Sequence, residues 1–254
     1  MDDITIVGPV DADAELDRLA ARYRKAGGLG IQVLNMVGGQ AENLLENLPD
    51  SVNENLVGAT EKALHAAMKA AATSRVAVPD QKAWVNTAVA TAMGAAGGFA
   101  GLPGALVELP ATTTLLMRSI QGAAQENGFD PSARSVEFDC VRVFNSAGPL
   151  EKDDGADFAF FATRMTLTGP AMHKLIAAVA PRLATALGQK LAAQSVPVLG
   201  AVAGATTNMV YTRYYQEVAH VHFGLRRLAI NANIPPAQVL EQFRKRMQRP
   251  ARRS

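Results

Sequence analysis

No charged residue falls between Lys82 and Glu108, and none falls between Lys190 and Arg213. No other feature constrains the fold as strongly. Both stretches are built largely from Ala, Gly, Val, Leu and Thr, and a proline breaks each, Pro103 in the first and Pro197 in the second. A helix on a water-facing surface carries charges on its outer side. These segments have none to offer, so they must be buried in protein, in lipid, or in each at different times. A bilayer span needs ~20 predominantly apolar residues. The first stretch is long enough, but Pro103-Gly104 interrupts it, and Leu, Ile and Phe, the residues that drive insertion, are sparse. A stable single-pass anchor is therefore not expected. The readings that remain are a buried core and a re-entrant or conditionally inserted hairpin.

The small residues in these stretches suggest how they pack. Gly94–Gly98, Gly97–Gly101 and Gly200–Gly204 all have GxxxG spacing. A glycine inside a helix costs roughly 1 kcal/mol relative to alanine. Close approach of two backbones compensates, through dispersion and weak Cα–H to carbonyl contacts. Close helix crossings are expected at Gly98 and Gly204. Placing residue 111 over residue 205 aligns Pro103 with Pro197 and Ala111-Thr112-Thr113 with Ala205-Thr206-Thr207. Two similar Gly/Pro-interrupted apolar hairpins packed as a pseudo-symmetric pair would produce such an echo. Chance in a low-complexity chain would also produce it.

Helical periodicity covers most of the remaining chain, so the expected fold class is all-α, a helical bundle. Asp11 caps a helix through Leu16, Leu19 and Tyr23 that ends at Gly27-Gly28, and Asn53–Ala72 is a second. Pro79 opens a third, running through Trp84 towards Gly94. A tight break spans Gly97 to Gly104, and a helix follows from near Pro110 to Asn127, closed by Gly128. Asp130-Pro131 caps a helix carrying Val136, Cys140, Val143 and Phe144. Glu151–Asp157 is a polar loop, and Phe158, Phe161 and Met165 share one helix face. Gly169-Pro170 opens a long helix that Pro181 can kink. Another runs from Val198 to about Ile230, and Pro235-Pro236 starts a short last one. Only Ile4–Val7 has strand character. The expected organisation is an acidic helical region over 1–50, a helical domain over 51–234, and a short helix with a basic tail over 235–254.

Charge distribution matters more than the net value of +2 over 254 residues. Residues 1–60 hold ten acids against four bases, whereas the last eleven hold six bases (Arg244, Lys245, Arg246, Arg249, Arg252 and Arg253) and no acid. That asymmetry suggests an anionic partner for the basic end, and a solvated tail would share the composition. The tail lacks an aromatic residue on which a base could stack, which weighs against nucleic acid. A single cysteine, Cys140, excludes an internal disulfide framework and fits a reducing compartment. The N-terminus lacks a basic region followed by an apolar run, so the expected location is cytoplasmic.

One set of motifs resembles a known family. Glu108-Leu-Pro110-Ala-Thr112-Thr113-Thr114 is followed by Arg118-Ser-Ile and Gly128. Then come Cys140-Val-Arg-Val-Phe144, Val196-Pro197-Val-Leu-Gly200-Ala with Gly204 and Asn208, and His222-Phe223 with Arg226-Arg-Leu. Together with Gly98, Gly101 and Pro103 of the glycine run, these blocks resemble the EcsC protein family, over roughly residues 55–230. The resemblance implies a bacterial helical protein with a membrane connection. The family has no established reaction, so no catalytic residue is carried over.

No catalytic constellation is complete. Glu108 and Arg118 interrupt apolar sequence ten residues apart, about 15 Å along one helix. If buried they must be paired or neutralised. Arg226 or Arg227 is the expected partner of Glu108, in an ion pair locking helices together or in a ligand or proton site. Glu217 and His220 have the Glu-x-x-His spacing of di-metal bundles, but a second such motif is missing. Cys140 sits in an apolar helix pattern as a structural thiol would. The glycine run is not followed by Lys-Ser or Lys-Thr, so it is no phosphate-binding loop, and no cofactor is expected. The expected function is non-enzymatic, at an anionic membrane surface or on a membrane protein, with self-association open. A soluble helical enzyme or a metal- or ligand-binding bundle is the alternative.

Overall fold

The computed structural model describes residues 11–28, 46, 48–77, 83–99, 101–145, 168–195 and 200–248, and among them it contains eight helices and no strand. They are α1 (Ala12–Gly27), α2 (Asp50–Ala77), α3 (Ala83–Phe99), α4 (Gly101–Glu126), α5 (Arg134–Val143), α6 (Gly169–Ser195), α7 (Gly200–Asn231) and α8 (Pro236–Met247). The all-α expectation holds. The strand-like Ile4–Val7, the loop Glu151–Asp157 and the face of Phe158, Phe161 and Met165 lie outside the described residues.

α7 is the axis of the bundle. It packs against α1, α3, α4, α5, α6 and α8, while α2 lies against α4 and α6. Tyr211, Tyr215 and Phe223 of α7 are fully buried, and Tyr215 meets Phe144 with ring centroids 5.3 Å apart. The acidic N-terminal region joins this bundle through α1, which packs on α7 and α8. Local chemistry sets its ends: the Asp11 carboxylate accepts from the backbone of Asp13 and Ala14, each at 3.1 Å, and Arg24 and Lys25 stand in the last turn.

Two boundaries differ from expectation. α4 begins at Gly101 rather than near Pro110, so the break after α3 is short and Pro110 lies inside the helix. Pro103 falls in the first turn, where a missing N–H costs nothing. Packing of α4 on five other helices outweighs the lost donor at Pro110. Asp130 does not cap α5, which begins at Arg134 after Ala133; its carboxylate accepts instead from the Ser132 backbone at 2.8 Å and shapes the turn. Gly128, with φ +83°, closes α4 as expected, and the Phe129 N–H reaches back to the Ala124 carbonyl at 3.0 Å.

The charge-free α3 runs antiparallel to the first half of α7, in the most extensive helix contact of the fold. A Cβ added at Gly94 would collide with the Gly204 carbonyl and stand 2.7 Å from the Asn208 amide nitrogen. The close crossing expected at Gly204 is therefore present, with Gly94 opposite it. The surroundings of Gly98 lie outside the described side chains.

Candidate functional site

Three polar clusters are strung along α7. The first is buried where α3, α4, α6 and α7 meet. Glu108 Oε1 accepts from Asn208 Nδ2 at 2.6 Å and Thr112 Oγ1 at 2.7 Å, and lies 3.3 Å from Lys190 Nζ. Asn208 also donates to the Ala90 carbonyl at 2.9 Å, tying α3 into the cluster. Lys190 has no solvent exposure, and burial pushes its ammonium below the usual range against the opposing pull of Glu108. Thr113 is buried beside this cluster, its hydroxyl donating to its own helix at the Leu109 carbonyl, 2.9 Å away.

This corrects the expected partner of Glu108. Arg226 lies eighteen residues beyond Asn208, about 27 Å further along α7. It bonds Asp139 Oδ2 at 2.7 Å instead, and Arg227 faces Glu15 at 3.5 Å. Arg118 is also buried, about 15 Å along α4 from Glu108. Lys190 escaped the sequence reading although a signal existed: it opens the second charge-free stretch, as Glu108 closes the first.

The second cluster centres on Asp139 of α5, another residue that the motifs passed over. Its carboxylate faces Arg142 at 3.0 Å, Arg226 at 2.7 Å and His222 Nε2 at 3.6 Å. Burial alone would raise its pKa; the His222 imidazole and then Arg226 and Arg142 overcome that and hold it low. Arg226 also reaches Ser135 at 3.2 Å and lies 4.6 Å over the Phe129 ring, which packs on Phe223. Cys140, next to Asp139, is fully buried and forms no disulfide. The motif blocks around Cys140–Phe144 and His222–Arg226 thus form one lock between α5 and α7.

The third cluster joins α1 to α7. Arg22 forms a two-pronged ion pair with Glu217. His220 Nδ1 accepts from Asn127 Nδ2 at 3.2 Å; the same amide donates to the Ala123 carbonyl at 2.7 Å, which fixes its orientation and the neutral imidazole. Burial, with a smaller push from Arg22, brings His220 down to about 4. Glu217 and His220 are thus each engaged elsewhere. Among the described residues no group of three His, Cys, Asp or Glu is placed to hold a metal ion.

The sequence matches the EcsC protein family over residues 74–228. The chain belongs to that family. The matched region runs from the end of α2 to the last turn of α7 and contains the Glu108 and Asp139 clusters. No curated protein and no solved structure matches the chain. Outside this EcsC region, α1 and α8 add their own charges. Arg246 of α8 pairs with Asp13 and Asp17 of α1, and Lys245 pairs with Glu241 of its own helix at 2.7 Å. Lys245 and Arg246 of the C-terminal end are therefore engaged within the chain; Arg249, Arg252 and Arg253 lie outside the described residues, as does Pro197. Gly101, Pro103 and Gly200 lie within helices whose side-chain surroundings there are not described.

Beside the third cluster a cavity of about 750 Å³ opens along the flank shared by α3 and α7, with the C-terminal turn of α1 across one end. Ala88, Ala92 and Ala95 of α3 form one wall; Ala205 and Met209 of α7 form the other. Lys25, Arg213, Gln216 and Glu217 line the end next to α1. Sequence reasoning missed this site because alanines far apart in the chain carry no signature of a shared wall. No described helix is long and apolar enough to cross a membrane.

Proposed function

We propose that this EcsC-family chain is a non-enzymatic helical protein that works at the cytoplasmic face of a membrane, binding the anionic lipid surface peripherally. One observation carries the reading. The outward face of α3, made of Ala88, Val89, Ala92 and Ala96, is exposed and wholly apolar, and Val89 keeps 43% of its surface open. Val202 of α7 adds an apolar side chain that is 69% exposed. A helix that meets only water places charge on its outer face, and an exposed apolar strip of this kind marks an interaction surface. The bases Arg249, Arg252 and Arg253 supply attraction to anionic lipid, at about 1 kcal/mol for each base near the surface, and Lys245 adds to it in competition with its Glu241 partner. Arg246 belongs to the α1 contact and contributes less.

Flotation of the full chain with phosphatidylglycerol vesicles, and with phosphatidylcholine vesicles as the neutral control, tests this reading. Binding to the anionic vesicles at low salt is expected, with a salt-sensitive part that disappears on deletion of Arg244–Ser254. Val89→Asp together with Val202→Asp should remove the salt-resistant part. Protein that stays unbound at low salt overturns the reading. Binding to native membranes alone, lost after protease treatment of those membranes, would assign the surface to a membrane protein instead.

A further inference from the structure

We infer that the cavity between α3 and α7 is a binding site for a single-chain anionic amphiphile, a long-chain carboxylate in its simplest form, with the chain along the alanine walls and the head group at the end lined by Lys25 and Arg213. This deepens the proposed membrane function and rests on it for the source of the ligand.

The cavity has the size of a small-molecule site, which typically runs to roughly 300–1,000 Å³, and its volume is about 750 Å³. Its long axis follows α7 from Ala205 to Glu217, twelve residues or about 18 Å. One leaflet of bilayer hydrocarbon is about 15 Å deep, half of a ~30 Å core, so the groove has the length of one lipid chain. Alanine on both walls keeps the space open; leucine at the same positions would fill it. The threonines of the lining do not make it polar. The Thr91 hydroxyl donates to the Thr87 carbonyl at 2.7 Å, and the Thr87 hydroxyl turns to Gln216 at 3.4 Å.

The two ends differ in charge. At the Gly94–Gly204 end the described lining is Ala95 and Ala205. At the other, α1 runs antiparallel to α7, bringing Lys25 level with Arg213. The one acid there, Glu217, is neutralised by Arg22. Lys25 and Arg213 have no ion-pair partner among the described residues, so the head end presents two uncompensated cations to an apolar groove. A carboxylate or phosphate monoester on an alkyl chain matches both features, whereas a neutral lipid makes no charge pairing with these two exposed cations. Ala88 and Ala92 belong both to the groove wall and to the exposed face of α3, so the groove opens on the side proposed to meet the bilayer.

The test uses the full chain in solution without vesicles. The fluorescent probe 11-(dansylamino)undecanoic acid is titrated in, then displaced with oleate, oleyl alcohol or butyrate. Saturable probe binding is expected, with oleate displacing it at least tenfold more effectively than either competitor. Ala92→Phe, at an exposed position, should weaken probe binding at least tenfold while leaving the melting temperature in place. Arg213→Ala should weaken oleate about tenfold and leave oleyl alcohol unchanged. Absence of saturable binding, or binding that both variants leave intact, overturns the inference. So does a concentration-dependent dimer that excludes the probe, which would give the groove to a second copy of the chain. Vesicle flotation without probe binding removes this site and leaves the membrane function standing. Probe binding without flotation keeps the site and removes the membrane function.

Discussion

Lys190 Nζ lies 3.3 Å from Glu108 Oε1, and the two side chains are 0% and 7% exposed. Glu108 closes the first charge-free stretch and Lys190 opens the second. The charges at these inner borders are therefore each other's partners, and α4 and α6 meet there with α3 and α7 around them. A lone charge at this depth would be very costly, and the ion pair, with the Asn208 and Thr112 hydrogen bonds to Glu108 Oε1, is what makes it tolerable.

Removing one member of this pair should cost about 3–5 kcal/mol, because the other is left buried without compensation. Glu108→Gln and Lys190→Met are each expected to reach that range in urea denaturation. The double variant should recover a large part of the loss, since two uncharged side chains need no partner. Additive losses would mean that the two charges do not act on one another.

The glycines separate into two kinds. At Gly94 an added methyl would press on the Gly204 backbone, which has no soft end to yield. Gly94→Ala should destabilise by about 1–3 kcal/mol or more, the usual cost of overpacking. Gly58 and Gly122 lie inside α2 and α4 with nothing within 4 Å of an added Cβ. Alanine there should stabilise by about 0.5–1 kcal/mol through helix propensity. Thermal melts of the three variants should therefore shift in opposite directions.

His220 makes the fold sensitive to acid. Its folded pKa of about 4 lies below the ordinary 6.5. Between these values the unfolded chain binds the extra proton more readily, so the proton favours unfolding as pH falls. Stability should be full above about pH 6.5 and decline towards pH 4, by roughly 3 kcal/mol at most for this group. His220→Gln keeps polar contact with Asn127 but cannot titrate. The difference between the two proteins' stability–pH curves should be confined to that window.

Arg226 serves Asp139, Ser135 and the Phe129 ring at once. A lysine ammonium cannot bond two groups in a fixed fork while lying flat on a ring. Arg226→Lys should therefore lose more than half of the stability lost by Arg226→Ala, with the latter at about 3 kcal/mol because Asp139 is buried. Urea midpoints of the two variants check this. Asp139→Asn should lose stability as well, by leaving Arg142 and Arg226 beside an uncharged side chain.

Much of the architecture was legible in the sequence because it depends on neighbours in the chain. Asp11 caps α1 through residues two and three positions on, and Gly128 ends α4 through its own backbone freedom. Gly169-Pro170 and Pro235-Pro236 open helices because proline fits a first turn. The start of α4 was misplaced because Pro110 reads locally as a helix start, and only packing on other helices shows that the turn before it is helical too.

The candidate site followed the same division. Charge-free segments, small residues at Gly94 and Gly204, and isolated ionisable residues such as Glu108 are properties of the sequence alone. By themselves they required that the segments pack closely and that the charges find partners. Which partners they found depended on the relative placement of helices distant in the chain: Lys190 for Glu108, Asp139 for Arg226, Arg22 for Glu217. The cavity belongs to that second kind entirely. Ala92 and Ala205 are ordinary alanines until α3 crosses α7 at two glycines, and Lys25 faces the same space as Arg213 only because α1 lies antiparallel along α7. Local spacing sets periodicity and burial, but the identity of a buried contact is a property of helix crossings, which no single segment encodes.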